Sequence, residues 1–177
     1  MEKIALTGGI GTGKTFISKQ FIERGIPVFY ADEEAKKLYD DEGVLAQIRQ
    51  AFGESVFLGG KLAFDQLAEV AFRDEQAKEK LEEIIHPMVM SRFDAWCVQQ
   101  NADTVIMESA IIFEAHLEKY FDKVIVVNAS IPVRIDRIRR RNPEMTDEQI
   151  MARIRMQMDQ EEKCRLADEI IEHDIDL

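Results

Sequence analysis

The sequence predicts a three-layer α/β protein in which helices cover both faces of a five-stranded parallel sheet. Short apolar runs alternate along the chain with longer helical patterns, as in parallel sheets whose strands are joined by helices. Two of these runs, 105–107 and 124–127, are continuously apolar, as expected of strands that are buried on both faces. The 177 residues, 46% of them hydrophobic, suit one compact core. We therefore predict a single domain over 1–177.

The predicted elements follow one another along the chain in the order that this fold requires. The strands are placed at 4–7, 27–30, 104–109, 123–128 and 169–171. Helical patterns cover 16–23, 33–39, 44–52, 64–72, 74–100 and 131–142. Another helix is predicted to begin at Thr146, because Thr146 and Gln149 have the spacing of a capping box.

The stretch between the second and third strands is longer than a simple crossover requires. Its helical patterns predict an insertion over about 33–101, which in a kinase would carry the acceptor substrate. An enlarged helical layer without a binding role explains the same pattern. Pro87 is expected to start or kink a helix within this stretch.

Charge and cysteine content narrow the class of protein. The formal net charge is −11, from 34 acidic and 23 basic residues, which disfavours binding to nucleic acid or to an anionic membrane. Cys97 and Cys164 are far apart and form no C-x-x-C pair, so neither a disulfide framework nor a zinc site is indicated. The first residues reach glycine before a signal-peptide stretch develops. These features predict a cytoplasmic protein with a small-molecule partner.

The strongest motif lies between the first strand and the first helix. Gly8-Gly9-Ile10-Gly11-Thr12-Gly13-Lys14-Thr15 is a complete G-x-x-x-x-G-K-[ST], the P-loop that binds nucleotide phosphates. Lys14 can reach the β- and γ-phosphates, and the Thr15 hydroxyl can ligate Mg²⁺. ATP and Mg²⁺ are therefore the predicted cofactors. The predicted nucleotide contacts are Gly9, Gly11, Thr12, Gly13, Lys14, Thr15 and Phe16.

Other residues distinguish among the classes of P-loop protein. The chain has no N-K-x-D sequence, which disfavours a GTPase, and the strand at 104–109 has one acidic residue where a motor ATPase is expected to have two. A small kinase remains. That single acidic residue, Glu108, is a candidate outer-sphere partner of Mg²⁺, with a capping role as the alternative.

Asp32 follows the second strand, so it should lie at the sheet edge where the P-loop opens. A carboxylate there can accept the proton of an attacking hydroxyl, although the same position also suits a helix N-cap. Seven arginines between Arg134 and Arg155 predict a lid over about 134–157 that closes on phosphates. Arg134, Arg137 and Arg141 share one helix face. A solvated face neutralised by nearby acids is the alternative.

Two further groups are predicted to have ordinary structural roles. The histidines His86, His116 and His173 stand apart from one another, and a lone histidine is more often structural than catalytic. The run 161–163, Glu-Glu-Lys, is interpreted as a solvated helix face.

Taken together, these residues resemble the dephospho-coenzyme A kinase family from Lys3 to about His173. The segment 4–15 is similar to the extended P-loop of that family, and Asp32 matches the last residue of its Asp-Ala-Asp. Ile85-His86-Pro87, Phe113-Glu114 and 167–171 match further family segments. The lid pattern of the family is matched by Arg137, Arg141, Arg153 and Gln157, whereas Tyr30, Ala110, Arg134 and His173 depart from what is usual.

The resemblance implies a P-loop NTPase fold and transfer of the ATP γ-phosphoryl group to the 3′-hydroxyl of dephospho-coenzyme A. Asp32 would be the base, assisted by Lys14, Arg137 and Arg141, while His86 and Glu114 would lie on the acceptor side. Two other readings stay open. One is another small-molecule or nucleoside-phosphate kinase of this fold, and the other is a nucleotide-binding regulator without catalysis.

Overall fold

The computed structural model describes residues 1–174, except for the side chain of Phe72. These residues divide into two compact units. The first combines Met1–Tyr30 with the described residues from Gln99 onward, and the second comprises Ala31–Val98. The first unit contains a parallel sheet, whereas the second consists of helices and a short hairpin.

Seven strands and eight α-helices occur in the described residues. The strands are β1 (Glu2–Thr7), β2 (Val28–Tyr30), β3 (Phe57–Leu58), β4 (Lys61–Leu62), β5 (Thr104–Glu108), β6 (Lys123–Asn128) and β7 (Glu169–Glu172). The α-helices are α1 (Lys14–Glu23), α2 (Ala31–Leu38), α3 (Glu42–Phe52), α4 (Phe64–Arg73), α5 (Glu75–Val98), α6 (Ile131–Arg141), α7 (Asp147–Arg155) and α8 (Gln160–Leu166).

The central sheet has five parallel strands in the order β2-β5-β1-β6-β7. Ile4 of β1 lies opposite Ile106 of β5 on one side and Lys123 of β6 on the other. The continuously apolar runs 105–107 and 124–127 are buried. Helices flank this sheet, so the predicted α/β fold is confirmed, and all five predicted strands are present with small shifts at their ends.

An apolar core joins the sheet to α1. Ile17 of α1 is buried against strand residues of β1, β5 and β6, and Phe21, one turn later, packs beside it. Burial of each large aliphatic side chain contributes about 1.5–3 kcal/mol, so this core fixes α1 on the sheet. The buried members are Ile4, Leu6, Ile17, Ile106, Ile125 and Val127.

All five strands run in the same direction, so their carboxyl ends meet at one edge of the sheet. The glycine-rich segment 8–13 follows β1 at this edge. Glu108 ends β5 and Asn128 ends β6 at the same edge. The topology therefore gathers these groups into one place although they are far apart in sequence.

The second unit contains α2 to α5 and the β3–β4 hairpin. The four helices predicted here are present. The hairpin was not predicted, although Gly59 and Gly60, with φ of +58° and +80°, form the kind of two-residue turn that signals one. α5 does not begin at Pro87 but runs through it, so a helix start there was a wrong prediction. Among the described residues, none of the helices has both the length and the apolar character needed to cross a bilayer.

The capping box predicted at the start of α7 is confirmed. The Gln149 N–H lies 3.3 Å from the Thr146 hydroxyl, and the Thr146 N–H donates in return to the Gln149 side chain at 2.9 Å. Beyond the cap, α6 and α7 pack together through Ile138, Ile150 and Ile154, and Ile10 of the glycine-rich segment packs against this cluster.

Candidate active site

The glycine-rich segment lies so close to its neighbours that a side chain would clash at several of its positions, Gly13 and Gly8 among them. Gly13 has a φ of +96°, and a Cβ there would lie 2.3 Å from Nδ1 of His173. A Cβ on Gly8, whose φ is +147°, would lie 2.4 Å from the carbonyl oxygen of Val127. Glycine is required at both positions because the backbone adopts a positive φ and also approaches neighbouring atoms.

α1 begins at Lys14, directly after Gly13, so the positive end of the helix dipole lies at the glycine-rich segment. The Lys14 ammonium donates to the Gly8 carbonyl at 2.9 Å and so reaches back across the loop. Thr15 is exposed beside it in the first helical turn. The helix terminus, the lysine and the open hydroxyl form an arrangement that suits a polyphosphate with a bound cation.

His173 lies against this loop, where the sequence analysis gave it no part. Its ring stacks on Phe16, with centroids 5.0 Å apart and planes inclined by 14°. Nδ1 lies 3.2 Å from the Thr12 carbonyl oxygen. The ring is buried, whereas Phe16 is 37% exposed. The position just after β7 was the available signal, because parallel strands end at this edge.

Glu108 is buried at the end of β5, and its Oε2 lies 2.7 Å from the Ser18 hydroxyl. Ser18 is one helical turn from Lys14 and Thr15, so the three share a face of α1. The sequence analysis missed Ser18, although this spacing could have identified it. Residues 1–174 contain no cluster of three or more His, Cys, Asp or Glu side chains that could hold a metal ion. The oxygen groups suited to Mg²⁺ here are the Thr15 hydroxyl and the Glu108 carboxylate.

Two arginines of α6 contact the P-loop directly. Arg134 is 2% exposed, and its Nε donates to the Ile10 carbonyl at 2.9 Å. Burial lowers the pKa of Arg134 and the nearby Asp159 carboxylate raises it, and a guanidinium remains charged throughout. Arg137 donates to the carbonyls of Gly11 and Thr12 at 3.3 Å and 3.0 Å. These guanidiniums place fixed positive charge beside the phosphate-binding loop.

The other arginines of α6 face solvent. Arg139 pairs with Asp147 at 2.6 Å, and Arg140 pairs with Asp136 at 2.8 Å. Arg141 is exposed at the end of the helix. The predicted arginine cluster therefore separates, and the alternative of a solvated face neutralised by acids describes Arg139 and Arg140.

Lys163 contradicts the prediction of a solvated face over 161–163. It is fully buried, and its ammonium donates to the Ala110 carbonyl at 2.6 Å and to Glu114 Oε1 at 2.7 Å. The same carboxylate oxygen accepts the Met158 N–H at 3.0 Å. Glutamates 161 and 162 are exposed as predicted, but Lys163 lies on the inner side of α8. In this structure Glu114, a predicted acceptor-side residue, fixes the segment before α8.

Two glutamines after α7 reach the start of the P-loop. Gln157 Oε1 accepts the Ile10 N–H at 2.7 Å, and Gln160 Oε1 accepts the Gly9 N–H at 2.9 Å. Gln157 carried a family resemblance in the sequence, whereas nothing in the local sequence distinguished Gln160. Its partner is 151 positions away.

In the second unit, Asp32 is exposed in the first turn of α2, which begins at Ala31. The alternative N-cap role is therefore wrong, because Asp32 lies inside the helix. Glu34, two residues later in α2, pairs with Arg92 of α5 at 3.5 Å. His86 is half-buried in α5, where burial lowers its pKa and the charge of Glu82 partly offsets that shift.

A cavity of about 430 Å³ opens within the same unit. Its wall is mostly apolar, and the rings of Tyr39 and Phe64 meet edge to face there at 5.3 Å. Lys78 and Asp65 supply charge at the lining. The sequence analysis did not predict this cavity, because its walls come from three helices, or segments beside them, that only packing brings together.

Known proteins that are similar to this chain include kinases, as the P-loop geometry suggests. The family model described as dephospho-CoA kinase matches residues 3–177. A dephospho-CoA kinase of Bacteroides fragilis is 38% identical over 174 residues, which are 97% of this chain and 84% of that protein.

Two solved structures are similar to the chain as well. The crystal structure of TT1252 from Thermus thermophilus has a TM-score of 0.87 at 28% identity, covering 97% of this chain and 88% of the other. The dephospho-CoA kinase of Campylobacter jejuni has a TM-score of 0.68 at 25% identity, covering 99% and 90%. The chain belongs to the dephospho-CoA kinase family, ATP-using enzymes of the final step of coenzyme A biosynthesis.

Proposed function

We propose that this chain transfers the γ-phosphoryl group of ATP to the 3′-hydroxyl of dephospho-coenzyme A in the cytoplasm. The observation that carries the proposal is the complete P-loop, with Lys14 and the first turn of α1 directed at one edge of the sheet. The net charge of −11 supports a small molecule, rather than nucleic acid or a membrane, as the partner.

The nucleotide is held by the segment from Gly9 to Phe16. Backbone N–H groups of this segment beyond Ile10 contact the phosphates, and Lys14 leaves the Gly8 carbonyl to follow the β- and γ-phosphates. Mg²⁺ would be held by the Thr15 hydroxyl, with Glu108 as an outer partner that Ser18 orients. The ion would neutralise charge on the phosphates.

Asp32 is the proposed base. It is exposed two residues beyond β2, a strand that ends at the same sheet edge as β1. A carboxylate there accepts the proton of the attacking 3′-hydroxyl and aligns its oxygen with the γ-phosphorus. Arg137 and Arg141 neutralise the charge that develops on the transferring group, as members of a lid over about 134–157.

The acceptor is assigned to the insertion over about 33–101 within a single kinase domain. His86 supports this assignment because it is half-buried in α5 and its lowered pKa favours the neutral ring, which can donate or accept a hydrogen bond. The apolar cavity at Tyr39 and Phe64 offers a surface for an uncharged part of the acceptor. Glu114 would act by fixing the loop after β5, given its bond to Lys163.

The direct test is incubation of the protein with MgATP and dephospho-coenzyme A, following both ADP and coenzyme A. Equal amounts of the two products support the proposal. ADP formed only with another small-molecule or nucleoside-phosphate acceptor would identify a different kinase of this fold. Tight ATP binding without transfer to any acceptor would favour the nucleotide-binding regulator.

Asp32→Asn tests the base. The amide keeps the size and polarity of the side chain but cannot take a proton, so kcat should fall by roughly 10²–10⁴-fold while ATP affinity stays within a few-fold. Asp40→Asn, at an exposed residue after α2, is the matched control. Turnover of Asp32→Asn near that of the control would remove Asp32 as the base.

A further inference from the structure

The first half of the P-loop is held by side chains from outside it. Gln157, just after α7, accepts the Ile10 N–H at 2.7 Å. Gln160, the first residue of α8, accepts the Gly9 N–H at 2.9 Å. Two consecutive backbone donors of the P-loop are therefore satisfied by neutral amides from outside it.

Further hydrogen bonds hold Gln160 and Ile10 in place. The Gln160 Nε2 donates to the Val127 carbonyl at 3.1 Å, so its amide bridges the P-loop and the end of β6. The Ile10 carbonyl accepts from Arg134 Nε at 2.9 Å, so both sides of this residue are held. Gln160 uses both a donor and an acceptor for these two bonds, which its amide supplies and an ionised carboxylate does not.

An amide also suits the charge of the ligand. A carboxylate at either position would accept the same N–H bond, but it would add negative charge to a loop that binds polyphosphate. A carboxylate at Gln160 would in addition face the Val127 carbonyl without a proton to donate. Neutral acceptors hold the backbone without opposing the nucleotide.

We propose that Gln157 and Gln160 are positioning residues for ATP, which hold Gly9 and Ile10 so that the later N–H groups of the P-loop converge on the phosphates. This inference rests on the proposed function, since it assigns the residues to the nucleotide half of that reaction. It predicts an effect on ATP that is separate from any effect on the acceptor.

The test uses Gln157→Met and Gln160→Met, which keep the side-chain length and remove the amide. Each should weaken MgATP binding, measured by calorimetry without acceptor, by roughly tenfold, because a backbone donor loses its partner and the loop loses its fixed shape. The KM for the acceptor at saturating ATP should stay within twofold. Gln50→Met, at an exposed glutamine of α3, is the matched control and should leave both constants unchanged.

Gln157→Glu provides a second variant that retains the acceptor oxygen and the volume. It should fold normally, as judged by its melting temperature, and still weaken ATP binding because of the added charge. ATP affinity within twofold of the parent in the two methionine variants, or in Gln157→Glu, overturns the proposal. So does a loss of ATP and acceptor affinity in equal proportion.

The parent protein separates this proposal from the proposed function. Its turnover with dephospho-coenzyme A tests the identity of the acceptor. The ratio of variant to parent ATP affinity tests the role of the two glutamines. A parent that binds ATP but phosphorylates another acceptor leaves the ratio meaningful. A parent that binds no ATP contradicts both proposals.

Discussion

Replacement of Lys163 by methionine should destabilise the protein more than the same replacement of an exposed lysine. The ammonium is fully buried and donates to the Ala110 carbonyl and to Glu114. Methionine fills similar space but leaves the carbonyl and the carboxylate without this donor. Loss of one partner of a buried pair costs about 3–5 kcal/mol, and because the Glu114 side chain is 24% exposed we expect the lower end, about 3 kcal/mol.

For a chain of this length each kcal/mol changes the melting temperature by about 2–4 °C, so Lys163→Met should lower it by roughly 6–12 °C. Urea denaturation followed by circular dichroism gives the free energy of unfolding directly. Lys123→Met is the control, since Lys123 pairs with Glu169 across β6 and β7 with both side chains partly exposed. That change should cost much less, because solvent screens the pair.

A double-mutant cycle identifies the cause. Lys163→Met combined with Glu114→Gln should recover part of the loss, because the remaining partner no longer carries an uncompensated charge. A coupling energy of about 1 kcal/mol or more is expected. Additive effects in the cycle, or a Lys163→Met loss no larger than that of Lys123→Met, would refute the reasoning.

Two further predictions concern the loop and the second unit. Gly13→Ala should abolish ATP binding, because its Cβ would clash with the buried His173 ring. Gly25 has a similar φ of +80° but no atom within 4 Å of where a Cβ would lie, so Gly25→Ala should leave ATP binding intact and lower the free energy of unfolding by about 1–2 kcal/mol, the cost of a left-handed non-glycine residue. ATP titration and unfolding of both variants measure this, and equal ATP affinities would contradict it. His86 has a lowered pKa in the folded chain, so the unfolded chain binds the proton more readily and stability falls as pH drops below about 6.5. His86→Asn should therefore lose less stability between pH 7 and 5 in urea titrations, and identical slopes would argue against a titrating His86.

Short-range signals in the sequence predicted much of the fold. The apolar runs at 105–107 and 124–127 correctly predicted two inner strands, because a strand that is buried on both faces has apolar residues at every position. The capping box at Thr146 was predictable because its bonds span three residues. The β3–β4 hairpin had an equally local signal in Gly59 and Gly60, which the sequence analysis did not use.

The candidate site was predictable only in part. Gly8 to Thr15 form a contiguous motif, and the helix after it follows from the same stretch. Asp32 was correctly placed after β2. The start of α2 was predicted two residues too late, so the N-cap alternative was wrong, because the position of a helix end depends on small energy differences at single residues.

By itself, the sequence determined the strand order along the chain, the P-loop, and the charge that favours a small-molecule partner. Only the tertiary structure decided which arginines face the loop, that Lys163 is buried, and that Gln160 holds Gly9. The physical reason is separation along the chain: Gly9 and Gln160 are 151 positions apart, and Ile10 and Arg134 are 124 apart. Contacts between residues so far apart in sequence depend on how the sheet and the helices pack together, so no local periodicity or spacing predicts them.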